Sequence, residues 1–404
     1  VKTTPLTVYQ ILLIVLFVFI LFTIVVDYMA LPALSAILLP ELQITTQQFG
    51  IVVSAYAFSA GISAFLATGL LDRFDRKRLL LVYYGGFLLG MLLCATANSL
   101  TALILARVVA GTFGGVVAAI CFAIVADLFQ SDQRGRVMGY VQLAFAFGLV
   151  AGLPLALYLA TKFNWHLSYW IFFIFGSFLL LVIRFQVKPI QAHLGLPQKD
   201  QPVQHAVRVL ERRDYWTVFS NNILLVLGDG IYMTFGSAYA TNNLGVGLDD
   251  LPLLYGIGGL ASIVCSPLIG QFSDRYGQLK IFIIGSVLAG TVVAVYSNLG
   301  RVPFGLVLLL HTLLFVGINA RMIASTALAT IIPYPQDRGA FMALDSSFQQ
   351  VAGGIAATAA GWMVYQAADG MIHGYPLLGW TVIAILCLTI GLMYSIHRIV
   401  KRRG

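Results

Sequence analysis

Apolar residues run along this chain in long blocks, separated by short breaks rich in Pro, Gly and charge. Within the blocks there is none of the strict alternation that a half-buried strand or an outer-membrane barrel strand requires. The blocks fall near residues 9–37, 47–71, 79–97, 101–126, 136–161 and 167–185, and after a polar stretch near 216–240, 249–272, 279–298, 303–330, 339–366 and 375–397. A helix of about 20 apolar residues crosses the hydrocarbon of a bilayer. The pattern therefore predicts an all-α integral membrane protein of twelve spanning helices, six plus six. The first block is longer than a signal-peptide core and shows no small-residue cleavage pattern, so it is expected to stay in place.

Composition agrees with lipid as the solvent. Of 404 residues 59% are hydrophobic and 10% charged, against roughly 25% charged in a soluble domain. Net charge is +8, and its placement carries the information. With the N-terminus inside, 20 Lys and Arg fall in inner segments, and Lys162 and Arg301 fall outside. Basic loops stay cytoplasmic, so both termini are predicted in the cytoplasm of a bacterial-type inner (plasma) membrane. No nucleic-acid partner is needed to explain the charge.

Cys94, Cys121, Cys265 and Cys387 each stand singly in an apolar run, which argues against a disulfide framework or a zinc site. No Walker loop, His-Glu-x-x-His or nucleophile elbow is present, so no cofactor, metal or catalytic residue is expected and the chain is not read as an enzyme. Gly256-Ile-Gly258 lies inside an apolar span with no strand before it and carries no nucleotide-binding meaning.

Residues 186–214 form the one long polar stretch, read as a cytoplasmic linker between a six-helix bundle over 1–185 and another over 215–404. Part of it, near 204–213, suits a short amphipathic helix on the membrane surface. The halves are related. Residues 270–280 (GQFSDRYGQLK) echo residues 68–78 (TGLLDRFDRKR), placing Asp274 202 residues after Asp72. Asp229 likewise follows Asp27 by 202. A shift of 204 aligns Arg338-Gly339 with Arg134-Gly135, and sets His311 opposite Arg107. Duplicated helical membrane proteins commonly bind cargo between their repeats, near the bilayer midplane.

These residues resemble the major facilitator superfamily, and within it the twelve-span drug and solute:proton antiporters of the arabinose-efflux-permease type. The resemblance covers essentially the whole chain. Its most specific element is the loop signature Gly-x-x-x-Asp-Arg-x-Gly-Arg/Lys: the second copy matches at Gly270, Asp274, Arg275 and Gly277, and the first keeps Asp72, Arg73 and Arg76 but has Thr68 and Asp75 where glycine is usual. Arg107 to Gly111 looks like the family's Arg-x-x-x-Gly, and Gly148 to Pro154 is a partial match to its antiporter motif, with Leu153 inserted before the proline. The resemblance implies alternating access between the bundles by a monomer, and a cytoplasmic latch in which Asp72 meets the positive N-terminal end of span eleven while Arg76 and Asp127 form a charged cluster. Asp274, Arg275 and Arg338 would serve the second copy of that latch.

An acidic side chain at mid-bilayer costs about 2.5–3.5 kcal/mol on insertion scales. Asp27 lies 13 residues before Pro40, about 20 Å along a helix and so near the middle of the membrane. Such a carboxyl group is a candidate proton carrier. An opposing Arg107 favours its charged form, so a movement that changes their separation changes proton affinity. A permanent pair that only locks the first bundle is the bland reading of the same residues. Asp229, between Gly228 and Gly230, is the second candidate for coupling, or else caps a helix broken at those glycines. Gln142, Asn221, Asn222, Tyr232, His311, Arg321, Asp345, Gln349 and Gln350 are candidates for lining a substrate cavity, with Asp345 alternatively neutralising Arg321 and His311 alternatively a packing residue.

The function expected is proton-coupled export of a small amphipathic or lipophilic molecule, with the substrate, protons and lipid as partners. A sugar or lipid exporter or uniporter of the same fold, its carboxylates binding cargo, is the alternative. A receptor or scaffold that moves nothing is the alternative of another class, and it leaves the matching buried acids unexplained.

Overall fold

A computed structural model of the chain describes residues 6–67, 74–191, 207–334 and 337–403. Helices follow the apolar blocks closely, with Thr7, Asp75, Ser99 and Asn164 capping those they precede. Each accepts a bond from an N–H that the helix itself cannot pair.

The first span is α1 (Val8–Ala33) followed by α2 (Ser35–Glu41). Pro32 lacks an N–H, and the chain turns at Leu34, whose N–H reaches back to the carbonyls of Ala30 and Leu31 at 2.9 and 3.1 Å. Then come α3 (Thr46–Ala67), α4 (Arg76–Ala95) and α5 (Leu100–Leu128). Span five is α6 (Ser131–Phe147), a π turn over Gly148–Gly152, and α7 (Leu153–Lys162). The π turn falls just before Pro154, where the proline cannot donate to the ladder and the hydrogen-bond register slips. α8 (Trp165–Gln186) completes the first six spans.

Span seven repeats the break of span one, as α9 (Arg213–Met233) and α10 (Gly236–Asn242). The interruption lies at residues 234–235, and Gly228 and Gly230 are inside continuous helix. The alternative of a helix broken at those glycines is therefore corrected: neither carries a positive φ, and Thr234 bonds back to the Gly230 carbonyl at 2.7 Å. The remainder is α11 (Leu251–Tyr276), α12 (Gln278–Tyr296), α13 (Phe304–Ala329), α14 (Arg338–Met363), a short hairpin of β1 (Tyr365–Gln366) with β2 (Ile372–His373), and α15 (Tyr375–Arg403).

Eleven helices among the described residues are long and apolar enough to cross a membrane. The twelfth span is α14, long enough at 26 residues but more polar, because it carries Arg338, Asp345, Gln349 and Gln350. Its polar side is turned inward: Asp345 and Ser347 are buried, while Trp362 is exposed. An even number of spans leaves both termini at one end of the bundle.

Close approaches between the two sets of six helices lie away from that end. α3 runs along α14 on a seam of small residues, where a side chain at Gly50 would begin 2.6 Å from the Ala357 carbonyl oxygen and one at Gly361 would begin 2.7 Å from that of Thr46. Nearer the middle, Ser347 donates to the Gly61 carbonyl at 2.7 Å. α7 and the π turn meet α11 through Pro154 against Gly256 and Leu149 against Gly259. Ser35 and Ser237, one from each broken span, share a hydrogen bond of 2.8 Å. Nearer the termini than Gly61, no glycine among the described residues meets the other set of helices, and Gly135, Gly139, Gly270 and Gly339 have open space where a side chain would start.

Candidate functional site

Asp27 and Arg107 meet inside the first six helices. Arg107 Nη1 donates to Asp27 Oδ1 at 2.8 Å, with both side chains almost completely sealed from solvent. Asp27 Oδ2 and Arg107 Nε have no partner there. Under the guanidinium lies the ring of Tyr56, 4.4 Å away, and the ring of Tyr28 packs on Tyr56 at 5.8 Å. Glycines make this possible. Gly111, one turn beyond Arg107, meets the Tyr56 backbone so closely that no side chain would fit, and Gly115 does the same against Ala60. Small residues let two membrane helices touch at the backbone, so the Arg-x-x-x-Gly spacing brings Tyr56 beneath Arg107.

Asp229 and Arg321 form the corresponding pair in the second six. Arg321 Nη1 lies 3.1 Å from Asp229 Oδ1, the arginine buried and the aspartate side chain 20% exposed. Gly285 and Gly317 allow α12 and α13 to approach here. The shift of 204 residues that sets His311 opposite Arg107 does not carry over to this pair. His311 instead sits among aromatic rings, 5.0 Å from Tyr255 and 4.8 Å from Phe315. The guanidinium that reaches Asp229 comes from ten residues further along α13, so the repeat keeps the pair but not its register. Asp345 does not neutralise Arg321.

Asp345 belongs to an amide and hydroxyl cluster on α9, α13 and α14. Asn222 Nδ2 donates to its two oxygens at 3.1 and 3.0 Å, and Gln349 Nε2 donates to Oδ2 at 2.8 Å. Asn221 donates to Ser325 at 2.8 Å, and Ser325 to Asn222 at 3.2 Å. A cavity of about 100 Å³ opens beside them. Asn221, Asn222, Asp345 and Gln349 are thus brought together, with Ser325, which sequence reasoning did not single out. Gln350 is half-buried beside Gly61 across the seam. Gln142 is exposed on α6. Tyr232 lies within the second bundle, its hydroxyl 3.1 Å from Ser297 and its ring against Tyr375.

At the end that carries the termini, Arg76 Nε binds Asp127 Oδ2 at 3.1 Å. The Arg76 N–H is held by the Ile190 carbonyl, and Asp75, which replaces the family's glycine, accepts from the Arg78 N–H as a helix cap. Asp72 and Arg73 lie outside the described residues. Gly270, Asp274 and Arg275 lie on the exposed last turns of α11. Gly277 ends that helix at φ +96°, a left-handed conformation that favours glycine. Arg338 opens α14 and is exposed. The residue before it forms the cluster instead: Asp337 accepts from the Tyr215 hydroxyl at 2.7 Å and pairs with Arg212 at 3.3 Å. Neither Asp337 nor Tyr215 stands in an apolar run, so span-based reasoning passed over them. Among the described residues no group of three His, Cys, Asp or Glu is placed to hold a metal.

The family model of the Major Facilitator Superfamily matches residues 16–357 and 218–402. Among curated proteins the chain is 24% identical over 398 residues to the uncharacterized MFS-type transporter YceJ of Bacillus subtilis, covering 96% of this chain and 97% of that one. It is 23% identical over 351 residues to Multidrug resistance protein 2 of the same organism, covering 84% and 85%. Among solved structures it superposes on a bacterial homolog of the human lysosomal transporter Spinster, inward-facing and occupied, with TM-score 0.78 at 12% identity, covering 98% of each chain. It also superposes on the nucleoside transporter NupG, with TM-score 0.73 at 15% identity, covering 98% of this chain and 100% of that one.

Proposed function

The chain belongs to the major facilitator superfamily, and from that premise we propose that it exports a small amphipathic or lipophilic molecule in exchange for protons, by alternating access. The observation that carries this reading is the sealed pair of Asp27 and Arg107, in which one carboxylate oxygen accepts from the arginine at 2.8 Å and the other has no partner. A proton taken up on the free oxygen removes the charge that holds Arg107. The guanidinium then keeps a hydrogen bond to a neutral carboxyl group and the Tyr56 ring, the latter a cation–π contact worth about 0.5–2 kcal/mol. That is a weaker hold than an ion pair closed off from water, so loading and unloading a proton biases the packing of α1 against α3 and α5.

The one-sided contact between the halves supports the rest. With basic loops and both termini in the cytoplasm, the open end faces inward and takes cargo from inside the cell. Arg76 and Asp127, already paired at 3.1 Å, hold the inner ends of α4 and α5 together within the first six helices. We place the protein, as a monomer, in the inner (plasma) membrane. The likeness in sequence to a protein named for multidrug resistance supports the lipophilic cargo class.

A second reading, a sugar or lipid carrier of the same fold, draws on the amide and hydroxyl cluster of Asn222, Ser325 and Gln349, which suits a hydroxylated cargo. One experiment separates the two. In proteoliposomes with an acid gradient, lipophilic cations and sugars are screened while internal pH is followed. Cargo-dependent proton flux, lost in Asp27→Asn, supports antiport. Cargo that equilibrates without proton flux overturns antiport and favours the facilitator.

A further inference from the structure

Among the described residues three carboxylates lie deep within the spans, at positions 27, 229 and 345. Two of them are neutralised, by Arg107 at 2.8 Å and Arg321 at 3.1 Å. No cation among the described residues pairs with Asp345. Its partners are the side-chain amides of Asn222 and Gln349, and it is buried beside a cavity whose other lining residues carry no charge.

The surroundings are otherwise accounted for. On α9 the titratable groups are Asp214, Tyr215, Asp229 and Tyr232, with Arg213 at the helix start. On α13 they are His311, enclosed by rings, and Arg321, spent on Asp229. α3 offers Tyr56, which lies under Arg107, and α14 itself offers Arg338, exposed at its first residue. None of these lines the cavity beside Asp345.

Position adds a second observation. Two residues along α14, Ser347 donates across to the Gly61 carbonyl of α3, where the seam between the halves gives way to the open end. Asp345 also ties α14 to α9 through Asn222. Two amides donating to a carboxylate satisfy hydrogen bonds but leave the charge in place, and low-dielectric surroundings penalise a charge without a counter-charge.

We propose that Asp345 is a second proton-loading site, set at the point where the two halves part, and that its protonation loosens the tie between α14 and α9. This rests on the proton-coupled reading above and adds a site to it. On protonation one carboxylate oxygen becomes a hydroxyl and turns from acceptor to donor. An Asn222 amide hydrogen then faces a hydrogen, and one of the two bonds to α9 is lost. Asp345 is thus a switching residue of the inner opening, separate from the sealed pair on α1.

The test reads protonation directly, without transport. Infrared difference spectra between acid and alkaline pH are taken on the full-length protein in liposomes, where a carboxylic acid C=O band reports a buried acid gaining its proton. Two bands are expected in the native protein: one lost in Asp345→Asn, displaced in frequency in Asp345→Glu and retained in Asp27→Asn, the other lost in Asp27→Asn. Asp345→Glu keeps the carboxyl group, so it carries the test if the amide variant folds poorly. No pH-dependent band, or a spectrum in which no band changes in Asp345→Asn or Asp345→Glu, overturns the proposal. A spectral change driven by sodium at constant pH overturns it too and makes the site one for a metal cation. A band that follows Asp345 in a protein showing no proton flux upholds this site and removes proton antiport instead, so the two failures are distinguishable.

Discussion

Arg321 binds Asp229 at 3.1 Å as Arg107 binds Asp27 at 2.8 Å, yet the partners are 92 residues apart in the second half and 80 in the first. Each half solves the same electrostatic problem, an acid inside a helix bundle, with a guanidinium from its fourth helix. They do so from different turns of that helix.

The first pair makes a stability prediction. Removing one member of a buried ion pair strands the other, at about 3–5 kcal/mol, whereas replacing both by neutral groups costs far less. Arg107→Gln is therefore expected to lower stability in detergent markedly, and the double variant Asp27→Asn with Arg107→Gln to recover most of the loss. Thermal unfolding of the purified variants checks this. A double variant no more stable than the single would mean that Arg107 contributes through packing on Tyr56 and not through its charge.

The second pair should respond less. Asp229 is partly open to solvent, and water screens what remains of a broken pair. Arg321→Gln is expected to cost less than Arg107→Gln in the same assay. An equal or larger loss would show that the partial opening at Asp229 does not admit water.

The seam of α3 and α14 sets the conformational prediction. A side chain added at Gly50 would start 2.6 Å from the Ala357 carbonyl oxygen, backbone that cannot swing aside. Gly50→Leu is expected to wedge the halves apart at the closed end and leave the individual bundles folded. In a background without Cys265 and Cys387, a cysteine at Ser237, now sealed against Ser35, should label several-fold faster in that variant. Unchanged labelling would mean the closed end is not held by this seam.

The sequence carried the spans because about 20 consecutive apolar residues are hard to read as anything else, and the breaks at Pro32 and before Pro154 follow from the missing N–H of proline. It carried Asp27 with Arg107, since each stands out in its own segment, while the cluster of Arg76 with Asp127 was carried by the resemblance to the family. It did not carry Asp229 with Arg321, because a constant offset between repeats presumes that insertions have not altered the register, and ten residues separate His311 from the arginine that forms the contact. Nor did it reveal Asp337 with Tyr215, since both sit in loop-proximal positions where charge and hydroxyl groups are ordinary and only the folded chain brings them within 2.7 Å. Ser325 escaped notice for a similar reason: one hydroxyl in an apolar helix gains meaning only when Asn221 and Asn222 are seen beside it.

The signature loop of the second half permits a sharper experiment, because two of its glycines sit under opposite constraints. Gly277 has φ +96° and nothing around it for a side chain to strike, while Gly270 lies within α11 with open space and no positive φ. A Cβ at Gly277 is strained by the backbone alone, at about 1–3 kcal/mol, because φ +96° with ψ 139° is a conformation residues other than glycine rarely adopt. At Gly270 alanine removes the entropic cost of glycine in a helix, a gain of about 0.5–1 kcal/mol. Gly277→Ala is thus expected to destabilise the protein and Gly270→Ala to stabilise it slightly. Transport is the second readout. If the open end closes against residues near Gly270 during the cycle, Gly270→Ala will slow cargo export while raising the unfolding temperature, and a variant that is both more stable and fully active would show that this turn of α11 stays clear of its neighbours throughout.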